Sequence, residues 1–235
     1  APGDSFDALS DGPHTIRIEA TDALGQPGFA VVNFTVDVIP PSEVALAQIS
    51  AGRDHTLAIL SDGSMWAWGD NSQGQIGNGA ASTLPIKTPI QIGPNMSWVF
   101  VTTGDYHTAA LRSDGTLWAC GDNYYGQLGD GTTTNRVVPT PVRGLAGVVS
   151  VDAYDIHSCA QLQGGTVKCW GWNRNGQIGD GSDYNSATLT PAPVVGLSGV
   201  TSISTGVWHS CALRQGGTVK CFGQNYFGQL GDGTQ

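Results

Sequence analysis

The sequence predicts an all-β protein whose main part is a β-propeller, an array of small four-stranded sheets called blades. Three observations lead to this prediction. Glycine is very frequent, at 34 of 235 residues, and charged residues make up only 12%, a composition that favours short strands and tight turns over helices. A segment of about fifty residues occurs four times. Each copy also contains the pattern of a β-hairpin.

The repeat is marked by four histidines that stand 52, 50 and 52 residues apart: His55, His107, His157 and His209. Each opens a similar run, such as HTAALRSDGTLWACGDN, and each run is followed by a block such as YYGQLGDG. A proline-containing apolar segment then follows the first three copies (LPIKTPIQI, VVPTPV, LTPAPVV), and the fourth copy stops at Gln235 before it. Four short strands in each period indicate one blade per copy. The predicted blades cover about 43–95, 96–146, 147–198 and 199–235.

Within each copy, the run after the histidine meets Ser-Asp-Gly or Gln-Gly-Gly and a second run follows. Glycine in the last place fits a hairpin turn in which that residue takes a positive φ. When the hairpins are centred on these turns, residues five before and five after the centre lie opposite each other. The opposed pairs are Leu57 with Ala67, Ala109 with Ala119, Cys159 with Cys169 and Cys211 with Cys221.

The cysteines occur at both opposed positions of a hairpin or at neither. Opposed residues of antiparallel strands have Cα atoms roughly 4.5 to 5.5 Å apart, which is within disulfide range. We therefore predict the disulfides Cys159–Cys169 and Cys211–Cys221, with buried free thiols as the alternative. Cys120 stands where other copies have Trp or Phe and is predicted to be a lone buried thiol. Paired cysteines predict an oxidising location, so a secreted, extracellular or cell-surface protein.

Residues 1–42 differ from the repeats. The pattern predicts a strand from His14 to Ala20, a turn from Asp22 to Gly28, a strand from Phe29 to Asp37 and a Pro-Pro linker. The motifs D-G-P-H and A-T-D-A-L-G in this segment resemble the C-terminal half of a bacterial immunoglobulin-like domain. Because about forty residues bury little core, we expect the rest of that domain upstream or contacts with the propeller.

The motif G-x-x-H-[ST]-x-A followed by G-x-N-x-x-G-Q-[IL]-G-[DN]-G recurs through residues 44–235 and resembles the regulator of chromosome condensation repeat. That resemblance implies blades around a central channel, seven in a complete ring, and a bacterial extracellular type of protein. The fourth copy is incomplete, and open strand edges are rare in native proteins. We therefore expect further polypeptide or neighbouring copies to cover the edges, through strand addition.

Composition and motifs exclude several functions. A formal net charge of −9 opposes nucleic-acid binding, which needs a basic patch. No apolar run is long enough to span a membrane. No Ser-His-Asp or Cys-His grouping and no phosphate loop stands out, so the sequence predicts neither an enzyme nor a cofactor. The repeat histidines are interpreted as structural residues that bond a neighbouring backbone, rather than metal ligands. Aspartates before glycine are interpreted as turn formers, with calcium left open: Asp130, Asp180 and Asp232.

The candidate binding surface lies at the ends of the hairpins away from their turns. There the segments before each histidine and after each G-x-N share one face, and their residues vary within a fixed frame. They are rich in Tyr, Trp, Phe and Arg, which are enriched in binding hot spots. The alternative is that these aromatic residues only pack the turns. The predicted partner-binding residues are Asp105, Tyr106, Tyr124, Tyr125, Arg174, Trp208, Tyr226 and Phe227.

The sequence therefore predicts an extracellular or cell-surface binding or scaffold module, whose partner is another protein or copies of itself. One alternative is a secreted enzyme inhibitor, because a β-lactamase inhibitor with this repeat binds through the equivalent loops. Another is a glycan-acting enzyme or glycan-binding module. Two or more carboxylates around one pocket would favour a glycan-acting enzyme, whereas a flat aromatic face would favour protein binding.

Overall fold

The computed structural model describes residues 16–21, 27–32, 46–182 and 187–235. The chain separates into two compact units, 1–45 and 46–235. In the first unit, β1 (Ile16–Thr21) and β2 (Pro27–Val32) form an antiparallel pair. Pro27 and Gly28 thus lie in a strand, whereas the sequence pattern placed them in the turn, because their backbone continues the ladder to Thr21. The remainder of the predicted immunoglobulin-like segment lies outside the described residues.

The second unit consists of four antiparallel sheets, each formed by consecutive strands. Blade 1 contains β3 (Leu46–Ala51), β4 (His55–Leu60), β5 (Met65–Asn71) and β6 (Ser82–Ile92). Blade 2 contains β7 (Trp98–Thr103), β8 (His107–Arg112), β9 (Leu117–Gly121) and β10 (Arg136–Pro141). Blade 3 contains β11 (Val148–Tyr154), β12 (His157–Leu162), β13 (Val167–Gly171) and β14 (Thr188–Pro193). Blade 4 contains β15 (Val200–Thr205), β16 (His209–Arg214) and β17 (Val219–Gly223). No helix among the described residues has the length and apolarity to cross a membrane.

The central hairpin of every blade has the predicted register. Leu57 lies opposite Ala67, and the equivalent residues of the other three blades are paired in the same way. The turn closes where predicted, with Gly63 at a φ of 81° in blade 1. The proline-containing segments form the fourth strands of blades 1 to 3. Repeat period and turn chemistry thus define each blade.

Neighbouring blades pack face to face, and each of the three junctions has its own apolar core. Between blades 2 and 3, for example, Leu117 and Leu128 pack with Val151 and Trp170. The first strands of adjacent blades lie side by side. The side-chain amide of Gln48 bonds both the N–H and the C=O of Val101, at 2.8 and 2.9 Å. The first strand is therefore the inner edge of each blade, and the proline-containing strand is the outer edge.

The repeat histidines join neighbouring blades. Nε2 of His107 lies 3.0 Å from Oγ of Ser158, and this hydroxyl donates to the carbonyl of Gln127 at 3.1 Å. Because the hydroxyl proton is used in that bond, Nε2 of the histidine is the donor. The ring is thus linked to the next blade through the Ser158 hydroxyl. Burial lowers the pKa of His107 to about 3, against the smaller raising effect of a hydrogen bond with the backbone of Asp155 in that blade, so its ring is neutral at neutral pH.

The structure pairs the cysteines as predicted. Disulfides join Cys159 with Cys169 and Cys211 with Cys221, with Cα atoms 4.1 Å apart in each pair. Cys120 is a buried free thiol, also as predicted, and burial raises its pKa to about 12. Its Sγ lies 3.5 Å from the carbonyl of Gln75, the neighbouring blade's residue. The thiol thus occupies the position of a tryptophan at the blade 1–2 junction.

Candidate functional site: the loop face

The loops before each histidine and after each third strand lie together, as the hairpin geometry predicted. Backbone bonds link them in every blade, for example from the N–H of Asp122 to the carbonyl of Tyr106 at 2.9 Å. We call this surface the loop face. It comprises residues 52–54, 104–106, 154–156 and 206–208 together with residues 70–74, 122–126, 172–176 and 224–228.

The structure places all eight predicted partner-binding residues on the loop face. Tyr124, Arg174, Trp208, Tyr226 and Phe227 are exposed. The other three are half-buried: Asp105, Tyr106 and Tyr125. The loop face contains two groups of residues. The charged group, on blades 1 to 3, comprises Arg53, Asp105, Tyr106 and Asp155. The aromatic group, on blades 2 to 4, comprises Tyr124, Tyr125 and Trp172 with the lining of the cleft beside Trp172.

The charged group is centred on Arg53. Its guanidinium lies 3.6 Å from the carboxylate of Asp105 and 5.3 Å from the ring centre of Tyr106. Asp155 belongs to the same group, and its pKa is raised to about 6, first by burial and then by the charge of Asp105, against the opposing effect of Arg53. Its φ of 49° is the only positive value of a non-glycine residue in the described part of the chain.

A substitution within the repeat explains this unusual backbone. Three blades have glycine three residues before the histidine, and a Cβ at Gly104 would lie only 2.2 Å from a ring carbon of His107. Blade 3 has Tyr154 at this position. Its turn takes a different path, with Asp155 in the left-handed region that Asp tolerates better than most residues. Tyr154 is exposed as a result. Sequence reasoning missed it, although the break in the glycine pattern was visible.

The aromatic group is centred on Trp172. The ring centre of Tyr125 lies 4.2 Å from that of Trp172 and 4.8 Å from that of Tyr124, both in edge-to-face arrangements. Next to Trp172, a cleft of about 320 Å³ opens between blades 3 and 4. The residues that line it are Trp172, Arg174, Asn175, Trp208, Gln224 and Tyr226.

Trp172 replaces a hydrogen-bond acceptor of the repeat. The middle residue of G-x-N is Asp122 in blade 2, and its carboxylate accepts from Nε2 of Gln127 at 2.7 Å. In blade 3 the indole offers no acceptor, and Nε2 of the fully buried Gln177 has no hydrogen-bond partner among the described residues. An unpaired buried donor costs about 1–3 kcal/mol. Blade 3 thus loses stability at this position while an indole is placed on the loop face. The residue was not among the predicted contacts, although its variation within G-x-N was visible.

The carboxylates of the repeats have local partners. Asp130 accepts from Asn123 and from the backbone and hydroxyl of Thr132, and its second oxygen lies 2.6 Å from Arg136. Asp180 and Asp232 make equivalent turn bonds. The described residues contain no group of three His, Cys, Asp or Glu side chains able to hold a metal ion. No carboxylate lines the cleft beside Trp172. The carboxylates of Asp105 and Asp155 belong to the charged group, beside Arg53.

Four-bladed packing with a shared loop face defines the chain as a β-propeller protein. The chain matches the RCC1-like domain over residues 11–235 and belongs to that family. This confirms the predicted repeat family. The match begins inside the segment for which an immunoglobulin-like domain was predicted, and that assignment stays a prediction.

Several known proteins are similar to this chain. It is 32% identical to the ultraviolet-B receptor UVR8 of Arabidopsis thaliana over 192 residues, which cover 81% of this chain and 44% of the receptor. The chain therefore spans less than half the length of that relative. Among solved structures, Prp20p of Saccharomyces cerevisiae has a TM-score of 0.72 at 23% identity, covering 90% of this chain and 51% of that one. The CRINKLY WD40 ectodomain of the Arabidopsis thaliana receptor kinase ACR4 has a TM-score of 0.51 at 20% identity, covering 82% and 54%.

Proposed function

We propose that this RCC1-like propeller is an extracellular or cell-surface binding module without catalytic activity, and that its loop face binds a protein partner through the aromatic group. Trp172 carries the proposal. It occupies a position where the other blades have an oxygen acceptor, and within the described part of the chain Nε2 of Gln177 is left without a hydrogen-bond partner. Where a sequence breaks a stabilising rule of its own fold, a functional reason is the expected one.

The surroundings of Trp172 support protein binding. The ring of Tyr125 makes edge-to-face contacts with both Tyr124 and Trp172. These three rings therefore lose little conformational freedom when a partner binds. Arg174 is exposed beside the cleft. Trp, Tyr and Arg are the residues that most often dominate binding energy at protein interfaces.

Two observations support an extracellular location. The disulfides Cys159–Cys169 and Cys211–Cys221 are stable in oxidising compartments. The ACR4 ectodomain, with a similar fold, is by its name the extracellular part of a receptor kinase. A bacterial origin is proposed only from the resemblance of residues 1–42 to bacterial immunoglobulin-like domains.

The experiment uses the variant Trp172→Asp, which restores the acceptor that blades 1 and 2 have. A screen of the chain against displayed extracellular proteins and against a glycan array first identifies binders, and their affinities are then measured by biolayer interferometry. We expect the variant to bind its protein partner at least about tenfold more weakly, since hot-spot truncations cost about 2 kcal/mol or more. We also expect it to unfold at a higher denaturant concentration, because Gln177 gains a partner.

The matched control is Leu84→Asp, which introduces the same charge on an exposed position of the outer strand of blade 1. It should bind like the original chain. Equal affinity of Trp172→Asp and the original chain would exclude the aromatic group as the binding site. Binders found only on the glycan array would replace the protein partner by a glycan, and a soluble enzyme that loses activity when bound would make the chain an inhibitor.

A further inference from the structure

The cleft beside Trp172 opens where blade 3 departs from blade 2 at one loop position. In blade 2 the second residue after G-x-N is Tyr125, whose ring centre lies 4.2 Å from that of Trp172 in the next blade. In blade 3 the same position is Asn175. Its backbone N–H bonds the glutamine two residues later at 2.9 Å, as that of Tyr125 does. Its shorter side chain leaves the corresponding space between blades 3 and 4 open, as a cleft of about 320 Å³. The junction between blades 2 and 3 thus shows that this space accepts a tyrosine ring.

The aromatic residues of the cleft are exposed because of their loop position. Tyr226 is 73% exposed, and the equivalent Tyr124 of blade 2, which has a blade on either side, is 70% exposed. Trp208 lines the same cleft, is 40% exposed and stands where blade 3 has Ile156. Together with Trp172, these side chains offer an apolar surface that a ring of a binding partner can cover.

The polar groups of the cleft are mainly hydrogen-bond donors. The guanidinium of Arg174 and the side-chain amide of Asn175 have no hydrogen-bond or ion-pair partner among the residues that the structure describes. The side-chain oxygen of Gln224 accepts from Gln229 at 3.2 Å, so its Nε2 remains to donate to a ligand. No carboxylate lines the cleft, although the chain has a net charge of −9. These donors match a carboxylate, which an arginine binds through two parallel hydrogen bonds.

We propose that this cleft binds a tyrosine or phenylalanine side chain that stands beside an aspartate or glutamate in the partner protein. The ring occupies the space that Tyr125 fills at the preceding junction, and the carboxylate bonds Arg174. The inference names the partner segment for the aromatic group and therefore rests on the proposed function. A glycan fits less well, because sugar hydroxyls donate as well as accept and no carboxylate of the cleft accepts from them.

The experiment uses the full 235-residue chain and short synthetic peptides that contain one tyrosine beside an aspartate. Reference peptides have alanine in place of the tyrosine, or asparagine or lysine in place of the aspartate. Tryptophan fluorescence, which reports on Trp172 and Trp208, measures binding up to about 1 mM peptide. We expect saturable binding of the Tyr-Asp peptide and binding of the Tyr-Asn peptide that is weaker by about tenfold. The peptides with alanine or lysine should not bind.

Two variants and a matched control test the geometry. Asn175→Tyr fills the cleft with the residue that blade 2 has at this position, and should lose the Tyr-Asp peptide while its circular dichroism stays that of the original chain. Gln73→Tyr introduces the same residue at the equivalent position of blade 1, and should bind like the original chain. Arg174→Gln should bind the Tyr-Asp and Tyr-Asn peptides equally, because the charge that distinguishes them is gone. A chain that binds none of the peptides, or binding that survives Asn175→Tyr, would overturn the proposal.

The same variants separate this inference from the proposed function. They are measured against the protein partner found in the screen described above. Loss of that partner in Trp172→Asp but not in Asn175→Tyr would keep the aromatic group as the binding site and overturn the occupant proposed for the cleft. Loss in neither variant would exclude both. Displacement of the Tyr-Asp peptide by glucuronic acid at equal concentration would assign the cleft to an acidic glycan instead.

Discussion

Blades 3 and 4 have nearly the same sequence in their central hairpins, HSCAQLQGGTVKCWG and HSCALRQGGTVKCFG, but their side chains have different surroundings. Val167 of blade 3 is 3% exposed, whereas its equivalent Val219 of blade 4 is 62% exposed. The disulfide of blade 3 is buried and that of blade 4 is half-exposed. His157 bonds Ser210 of the next blade at 2.9 Å, whereas His209 has no such partner among the described residues.

The difference shows that the hairpin sequence specifies the blade and the neighbouring blade specifies its burial. In repeat arrays, stability is approximately the sum of the intrinsic stability of each repeat and of the interfaces between neighbours. Blades 3 and 4 have similar intrinsic stability because their hairpins are alike, but they differ in the interfaces that they form with neighbours. Equivalent substitutions in the two blades therefore measure how much a covering blade contributes.

The largest difference is expected for the aromatic residue before the last hairpin glycine. Trp170 is fully buried, so Trp170→Ala should lower the free energy of unfolding by about 3–5 kcal/mol. Phe222 is half-buried, so Phe222→Ala should cost only about 1–2 kcal/mol. Equilibrium unfolding in urea, followed by far-ultraviolet circular dichroism, measures both. Equal losses would mean that Phe222 is covered in solution to the same extent as Trp170.

The two disulfides give the next difference. Each closes a loop of the same length, with a sequence separation of 10, so each should stabilise by about 2–3 kcal/mol on the chain-entropy model. Cys159→Ala with Cys169→Ala should cost more than Cys211→Ala with Cys221→Ala, because the first pair also leaves a cavity in the blade 3–4 core. Denaturant midpoints of the two double variants decide this.

The two disulfides, which support the proposed extracellular location, can be tested by direct chemical mapping. Peptide mapping without reduction should recover both cross-linked pairs from a natively secreted sample, with Cys120 as the remaining thiol. Free Cys159 and Cys211 in that sample would contradict the disulfides and remove their support for the extracellular proposal.

The blades could be predicted from sequence because their determinants are local. The turn glycines and the alternation of the strands determine a hairpin register such as Cys159 opposite Cys169. The same pattern occurs in all four copies, which strengthens the prediction. The junction chemistry was predicted less well. The hydroxyl that links His107 to a backbone carbonyl comes from a residue about fifty positions later, and no local pattern identifies it as the partner.

The shared face of the loops was predicted from sequence, and its role in binding stays a prediction. The hairpin ends indicated the loop face, and variation indicated Tyr124 and Tyr226. Trp172 and Tyr154 were missed because only the two residues before each histidine and the two after each G-x-N were compared, whereas these two lie at the variable middle of G-x-N and at the glycine position before the histidine. The features that single them out, the Gln177 side chain without a partner among the described residues and the positive φ of Asp155, are visible only in three dimensions.

The smallest difference concerns pH. Burial under blade 4 lowers the pKa of His157 to about 3, from 6.5 in the unfolded chain. Between these values the unfolded chain binds a proton that the folded chain does not, so the histidine's contribution to stability is lost as pH falls below about 6.5, by about 1.4 kcal/mol per pH unit. The raised pKa of Asp155 has the opposite effect on the pH dependence of stability. This effect is the same in the original chain and in a variant changed only at His157, so it does not alter their comparison. His157→Gln keeps a donor for Ser210 and removes the titration. Urea unfolding at several pH values between 7 and 5 should therefore give a shallower loss of stability for this variant, and parallel curves would show that the covering blade does not keep the ring of His157 neutral.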